Sequence, residues 1–191
     1  MKRAQRLSLA VASLLPLTGC GQHLGSYAVE QVRVVTEIPQ SFFSPSPSYG
    51  RYLEIRVASK MSLTSIGRNV AVYIDADFCP LRNRNGLIAF GPYSNDEEDL
   101  GLPGDATALK AGRDGLFRYR LYVSVAYGGQ RPTGPGQLQL PTYDLKLSNR
   151  DLCLRLFAPG YNLIKSRSET IRVPAEMVST ALKEAPAPRP S

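Results

Sequence analysis

The sequence predicts an all-β domain, a sandwich of about seven or eight short strands with one short helix at the C-terminal end. Two patterns carry that expectation. Apolar residues recur at every second position in Leu53-Ile55-Val57, in Val70-Val72-Ile74 and again from Phe117 to Tyr127, as in strands with one buried face. Stretches rich in Gly, Pro, Ser and Asn separate these runs, and little of the chain has helical spacing.

Taken in order, Val32, Val34, Val35 and Ile38 lie in a first strand within Val29–Ile38. Pro39 to Gly50 reads as a loop, with Phe42 and Phe43 tucked under the sheet or forming an exposed lip. Leu53, Ile55 and Val57 alternate with Glu54 and Arg56, and Val70, Val72 and Ile74 repeat the pattern up to Asp75-Ala76-Asp77-Phe78-Cys79-Pro80. Leu87-Ile88-Ala89-Phe90 is a short buried run that Gly91-Pro92 is expected to stop. After a polar excursion, Asp105 is placed to cap a short helix over Ala106–Ala111.

The longest run, Leu116–Tyr127, sets Phe117, Tyr119, Leu121, Val123, Val125 and Tyr127 on one face, with Arg118, Arg120, Tyr122 and Ser124 on the other. Extended throughout, it would reach ~40 Å at about 3.3 Å per residue, so a bend is expected within it. Tyr143, Leu145 and Leu147 read as one arm of a hairpin with Leu152, Leu154 and Leu156, across Ser148-Asn149-Arg150-Asp151. Thr170–Val173 supplies a last strand, and Pro174 opens a helix over Ala175–Lys183 with Met177, Val178 and Leu182 on one side.

The first 19 residues have a different character. Lys2, Arg3 and Arg6 precede an apolar run, Leu7–Leu17, which ends in Leu17-Thr18-Gly19-Cys20. Eleven residues of helix span only ~16 Å against a hydrocarbon core of ~30 Å, too little for a membrane crossing. The arrangement is that of an export signal. Leu17-Thr18-Gly19-Cys20 resembles the lipobox of bacterial lipoproteins. The resemblance implies cleavage before Cys20, lipid on that cysteine and anchoring in a bilayer, where two or three chains hold stably. Gly21, in place of Asp, points to the outer membrane, facing the periplasm. The expected organisation is a signal peptide (1–19), a lipidated tether (20–28), one domain (29–184) and a Pro/Ala-rich tail (185–191).

Loss of Lys2, Arg3 and Arg6 with the signal takes the formal charge from +7 to +4. That mild excess has no basic run or recognition motif, so nucleic acid is not an expected partner. With Cys20 lipidated, Cys79 and Cys153 are an even pair in an oxidising compartment and are expected to form a disulfide, worth on the order of 4 kcal/mol in the chain-entropy model. Buried free thiols and a metal site are the alternatives. The two-cysteine spacing resembles that of immunoglobulin domains. There is no Trp, and Asp151 stands two residues before Cys153 where a corner Tyr would be, so the resemblance implies an immunoglobulin-like architecture and not membership.

The only histidine, His23, lies in the expected tether, which excludes Ser-His-Asp and Cys-His catalysis and histidine-rich zinc sites from the domain. No Ser-x-x-Lys or glycine-rich phosphate loop occurs. Asp75 and Asp77 share one face at a strand end, and Asp96-Glu97-Glu98-Asp99 cluster in a loop; a solvated surface, a calcium site at 96–99 and carboxylate catalysis are the readings of these groups. Otherwise no cofactor is expected. Arg118, Arg120 and Tyr122 point one way, with Arg155 expected to join them, as a partner face or as a plain polar sheet face. Three functions follow: a non-catalytic envelope lipoprotein that docks on another envelope protein; a polysaccharide- or peptidoglycan-binding module using Tyr93, Tyr127 and Tyr161; and a hydrolase built on Asp75 and Asp77.

Overall fold

Alternation of side chains along a strand fixes which residues can share a core, and a computed structural model of the chain shows how the faces meet. It describes residues 23–39, 50–66, 70–82, 86–95, 100, 109–128, 142–159 and 166–185. The strands are β1 (Ala28–Val35), β2 (Tyr52–Ser59), β3 (Tyr73–Phe78), β4 (Ala89–Ser94), β5 (Phe117–Ser124), β6 (Ala126–Tyr127), β7 (Tyr143–Asp144), β8 (Leu152–Ala158), β9 (Ser166–Arg167) and β10 (Ile171–Val173). One helix, α1 (Ala175–Glu184), follows β10.

Two antiparallel sheets result. One has the order β1-β2-β5-β4; in the other β8 lies between β10 and β3, with β9 beside its end. β6 and β7 form a small ribbon. Leu53, Ile55 and Val57 of β2 and Tyr119, Leu121 and Val123 of β5 share one buried cluster with Ile74 and Ala76 of β3, Leu152, Leu154 and Leu156 of β8, and Ile171 and Val173 of β10. Burying each large aliphatic side chain contributes roughly 1.5–3 kcal/mol, so this shared core is what holds the two sheets in a sandwich-like arrangement. The chain changes sheets where the Leu87 amide, still bonded to the Ala76 carbonyl at 2.9 Å, leads into β4.

Cys79 and Cys153 form a disulfide. Asp77 pairs with Cys153 across β3 and β8, so the bridge staples neighbouring strands of one sheet. Beside it, Asp151 joins three elements. Its carbonyl accepts the Cys79 amide at 2.9 Å, its Oδ1 accepts the Ala175 amide at 2.8 Å, and its Oδ2 accepts Arg172 Nε at 2.6 Å. Pro174 stands at the N-cap of α1 with no capping side chain, so Asp151 serves that end of the helix from a distance.

Several elements depart from the expected ones. Gly91-Pro92 does not end its strand: β4 continues to Ser94 through a register shift between Phe90 and Tyr93, with Gly91 at φ +99. The bend expected in the longest strand falls at Val125, between β5 and β6. The hairpin expected across 148–151 does not form. Asp144 accepts the Lys146 amide and turns Leu145–Leu147 into a 3-10 segment that leaves Leu147 exposed, while β8 pairs with β3 and β10 instead. Of the helix expected over Ala106–Ala111, residues 109–111 are not helical and 106–108 lie outside the described residues.

The fold also begins earlier than residue 29. Leu24 is fully buried in the core, its amide bonds the Arg167 carbonyl at 2.9 Å, and Gly25 accepts the Glu169 amide at 3.1 Å. The Tyr27 hydroxyl donates to the Leu24 carbonyl at 2.8 Å. Residues 23–28, read from sequence as tether, thus pack as part of the domain, because Leu24 supplies an apolar side chain between the two sheets.

Candidate functional site

The face of β1-β2-β5-β4 turned away from the core carries the residues that sequence singled out on β5. Register places Arg33 opposite Glu54, Glu54 opposite Tyr122, Arg56 opposite Arg120, and Tyr93 opposite Arg120. An outward sheet face is ordinarily solvated. Here Tyr52, Glu54, Tyr93 and Tyr122 are all buried, each 2 % exposed or less. The three tyrosines form a second apolar cluster with Val35, Ile38 and Phe90 against it. Its rings meet edge-on, Tyr93 to Tyr122 at 5.5 Å and Tyr52 to Phe90 at 5.8 Å.

Glu54 is the polar centre of this face. Arg33 grips it with two bonds, Nε to Oε1 and Nη2 to Oε2, both 3.0 Å. Arg56 Nε reaches Oε1 at 2.7 Å, and the Tyr122 hydroxyl reaches Oε2 at 3.2 Å. Burial alone pushes the Glu54 carboxyl upward; the bonds and charges of Arg33 and Arg56 outweigh it and hold the group below the usual glutamate range. The same carboxylate raises Arg33. The network also removes a conflict, since like charges directly opposite in a sheet repel. Arg56 turns to Glu54, and Arg120 Nη2 turns to the carbonyls of Ser94 and Asn95 at 3.1 and 3.0 Å.

Next to this centre lies a depression of about 510 Å³ lined by Arg33, Thr36, Glu37, Ile38, Glu54 and Tyr122 among others. A second, of about 380 Å³, is lined by Glu30, Gln31, Arg56, Asn95, Arg118 and Tyr119. Arg118 closes a surface network there, at 3.0 Å from Glu30 and 2.6 Å from Asp114. Its bond holds the Asp114 carboxyl down at about 2.

Arg118, Arg120 and Tyr122 therefore do share one face, but in different states: Arg118 is partly exposed and ion-paired, Arg120 ties down the end of β4, and Tyr122 is buried. Arg155 is not with them. It lies on β8 in the other sheet, opposite Asp75, with Nη2 at 3.8 Å from Asp75 Oδ2. Asp75 is buried there, and Asp77 Oδ1 accepts the Phe78 amide at 2.8 Å. Tyr127 lies against Tyr143 at 6.4 Å. Cys20, Asp96, Glu97, Glu98, Asp99 and Tyr161 lie outside the described residues. Among those described, no group of three or more His, Cys, Asp or Glu is placed to hold a metal ion, and no helix is long and apolar enough to cross a membrane.

Glu54 and Arg33 went unnoticed in the sequence because each sits at a solvent-face position of an alternating strand. The available signal was aromatic: Tyr52 and Tyr122 occupy the same polar faces, too large and apolar for a plainly solvated surface. No protein-family model, no curated protein and no solved structure matches this chain.

Proposed function

We propose that this chain is a non-catalytic lipoprotein of the bacterial cell envelope, anchored by lipid on Cys20 in the outer membrane on its periplasmic side, whose domain docks on another envelope protein. The observation that carries this reading is Leu17-Thr18-Gly19-Cys20 after a basic and apolar leader. The Cys79–Cys153 disulfide supports it, since such bridges persist in oxidising compartments. The docking surface is the Arg/Tyr face of β1-β2-β5-β4, where Arg33 and Arg56 keep about half of their side chains in solvent over a rigid, buried Glu54 (47 % and 41 % exposed against 3 %). Arginines held in place over an aromatic bed suit an interface, because little freedom is lost on binding.

An immunoglobulin-like architecture belongs to the same proposal. Its support is the strand order: taking β1, β2, β3, β4, β5, β8 and β10 as seven successive strands gives the ABED and CFG sheets of a constant-type domain. The bridge differs, joining strands of one sheet where immunoglobulin domains link the two.

The competing functions draw less support. Tyr93 is buried and presents no stacking platform to a glycan; among the described residues the Tyr127–Tyr143 pair is the feature that favours a glycan-binding module. Asp75 is buried beside Arg155 and Asp77 bonds its own chain neighbour, which disfavours a carboxyl pair working in a cleft. Palmitate labelling in cells, followed by crosslinking and affinity capture of the tagged chain, tests the reading. The wild type takes up label, Cys20→Ser does not, and one envelope protein is recovered repeatedly unless Arg33 and Arg56 are both replaced by Glu. Label on Cys20→Ser refutes the anchor, and crosslinks to peptidoglycan alone refute the docking.

A further inference from the structure

The short distance between Cys20 and the packed domain decides which end of the sandwich faces the bilayer. Leu24 is fully buried, and His23 already bridges to Arg167. Only Gly21 and Gln22 separate Cys20 from His23, three residue steps with a reach of at most ~11 Å at about 3.6 Å per residue. The strands are up to eight residues long, so the two poles of the sandwich stand roughly 25 Å apart at about 3.3 Å per residue. A lipid on Cys20 therefore cannot leave the domain free to tumble end over end.

The pole held near the lipid is defined by strand ends. It has the start of β1, the end of β2, the start of β5 and the end of β8 with β9, all gathered around Leu24 and Gly25. Lys60 follows β2, Lys110 and Arg113 precede β5, and Arg167 lies in β9. Lys60, Lys110 and Arg113 are exposed and Arg167 partly so; none of the four forms an ion pair among the described residues. Of the described acidic groups at this pole, Glu30 and Asp114 pair with Arg118 and Glu169 lies 4.0 Å from His23, while Asp96-Glu97-Glu98-Asp99, which follow the end of β4, lie outside the described residues. Unpaired cations within a Debye length of a bilayer, about 10 Å at 0.1 M salt, are drawn to anionic headgroups.

We infer that the Leu24 pole rests on the phospholipid surface that anchors Cys20, with Lys60, Lys110, Arg113 and Arg167 against anionic headgroups, so that the disulfide and α1 end points away from the membrane. This rests on the anchoring reading above. The test uses the full lipidated chain in vesicles of phosphatidylethanolamine with phosphatidylglycerol, and in phosphatidylcholine vesicles. A fluorophore is placed at Ala111→Cys on the Leu24 pole, or at Lys146→Cys on the opposite one, both exposed positions. Headgroup-nitroxide lipid is expected to quench the first label severalfold more than the second, with a larger difference on the anionic vesicles that shrinks in high salt. Equal quenching at both positions, or a difference indifferent to phosphatidylglycerol, overturns the inference while the anchor stands. A chain that gains no lipid mass and does not float with vesicles overturns both.

Discussion

Replacing Glu54 by Gln keeps the size and shape of the side chain and removes only its charge and one acceptor. In the folded protein the carboxylate accepts four hydrogen bonds, two from Arg33, one from Arg56 and one from the Tyr122 hydroxyl. An amide offers one oxygen. Its better orientation puts that oxygen between Arg33 Nε and Arg56 Nε, leaving the new NH₂ to face Arg33 Nη2, while Tyr122 can turn to accept. One charged hydrogen bond is then lost, about 1.5–3 kcal/mol, and two others fall toward neutral strength. Arg33 and Arg56 are partly in water and recover some hydration, so the net expectation is a loss of about 2–3 kcal/mol at pH 7.

The sign with pH follows from the lowered Glu54 pKa. A carboxyl lowered in the folded state contributes its stability fully above the unfolded value, near 4.5, and loses it as pH falls through the folded value. Urea unfolding of wild type and Glu54→Gln should therefore differ by a clear shift in midpoint at pH 7, with equal slopes, and the gap should narrow below pH ~4.5. Equal midpoints at pH 7, or a gap that stays constant into acid, would show that the network does not hold this face together.

Leu24→Ala should cost about 2–5 kcal/mol by thermal or urea unfolding, the range for a large buried aliphatic, although it lies outside the domain that alternation alone delimits; a neutral effect would return residues 23–28 to the tether. Cys79→Ala with Cys153→Ala should lower stability by on the order of 4 kcal/mol, as the bridge closes a sequence separation of 74, and reduction of the wild type should match it. Asp151→Asn should loosen the start of α1, seen as faster amide exchange at Ala175. The Ala175 amide and then Arg172 lower the Asp151 pKa, so its contribution is complete above the ordinary aspartate value, near 3.8, and fades as pH falls below that. Equal exchange in Asp151→Asn and wild type would assign the cap elsewhere.

By itself the sequence determined the faces of the strands. Leu53, Ile55, Val57, Tyr119, Leu121 and Val123 all lie inward as alternation requires, because the period of two is a property of each strand alone. It also determined the disulfide partners once Cys20 is set aside, since only one pairing remains, and it singled out Arg118, Arg120 and Tyr122 as sharing a face. Tertiary structure alone decided which strands are neighbours. Leu152–Leu156 is equally apolar whether it pairs with Leu145 nearby or with β3 and β10 far along the chain, and only the second choice closes the core between the sheets. For the same reason Arg155 went to a different sheet from Arg118. The burial of Glu54 was hidden as well: a glutamate on a polar face is ordinarily solvated, and what surrounds this one is the convergence of Arg33, Arg56 and Tyr122 from three strands, a property that no single stretch of sequence contains.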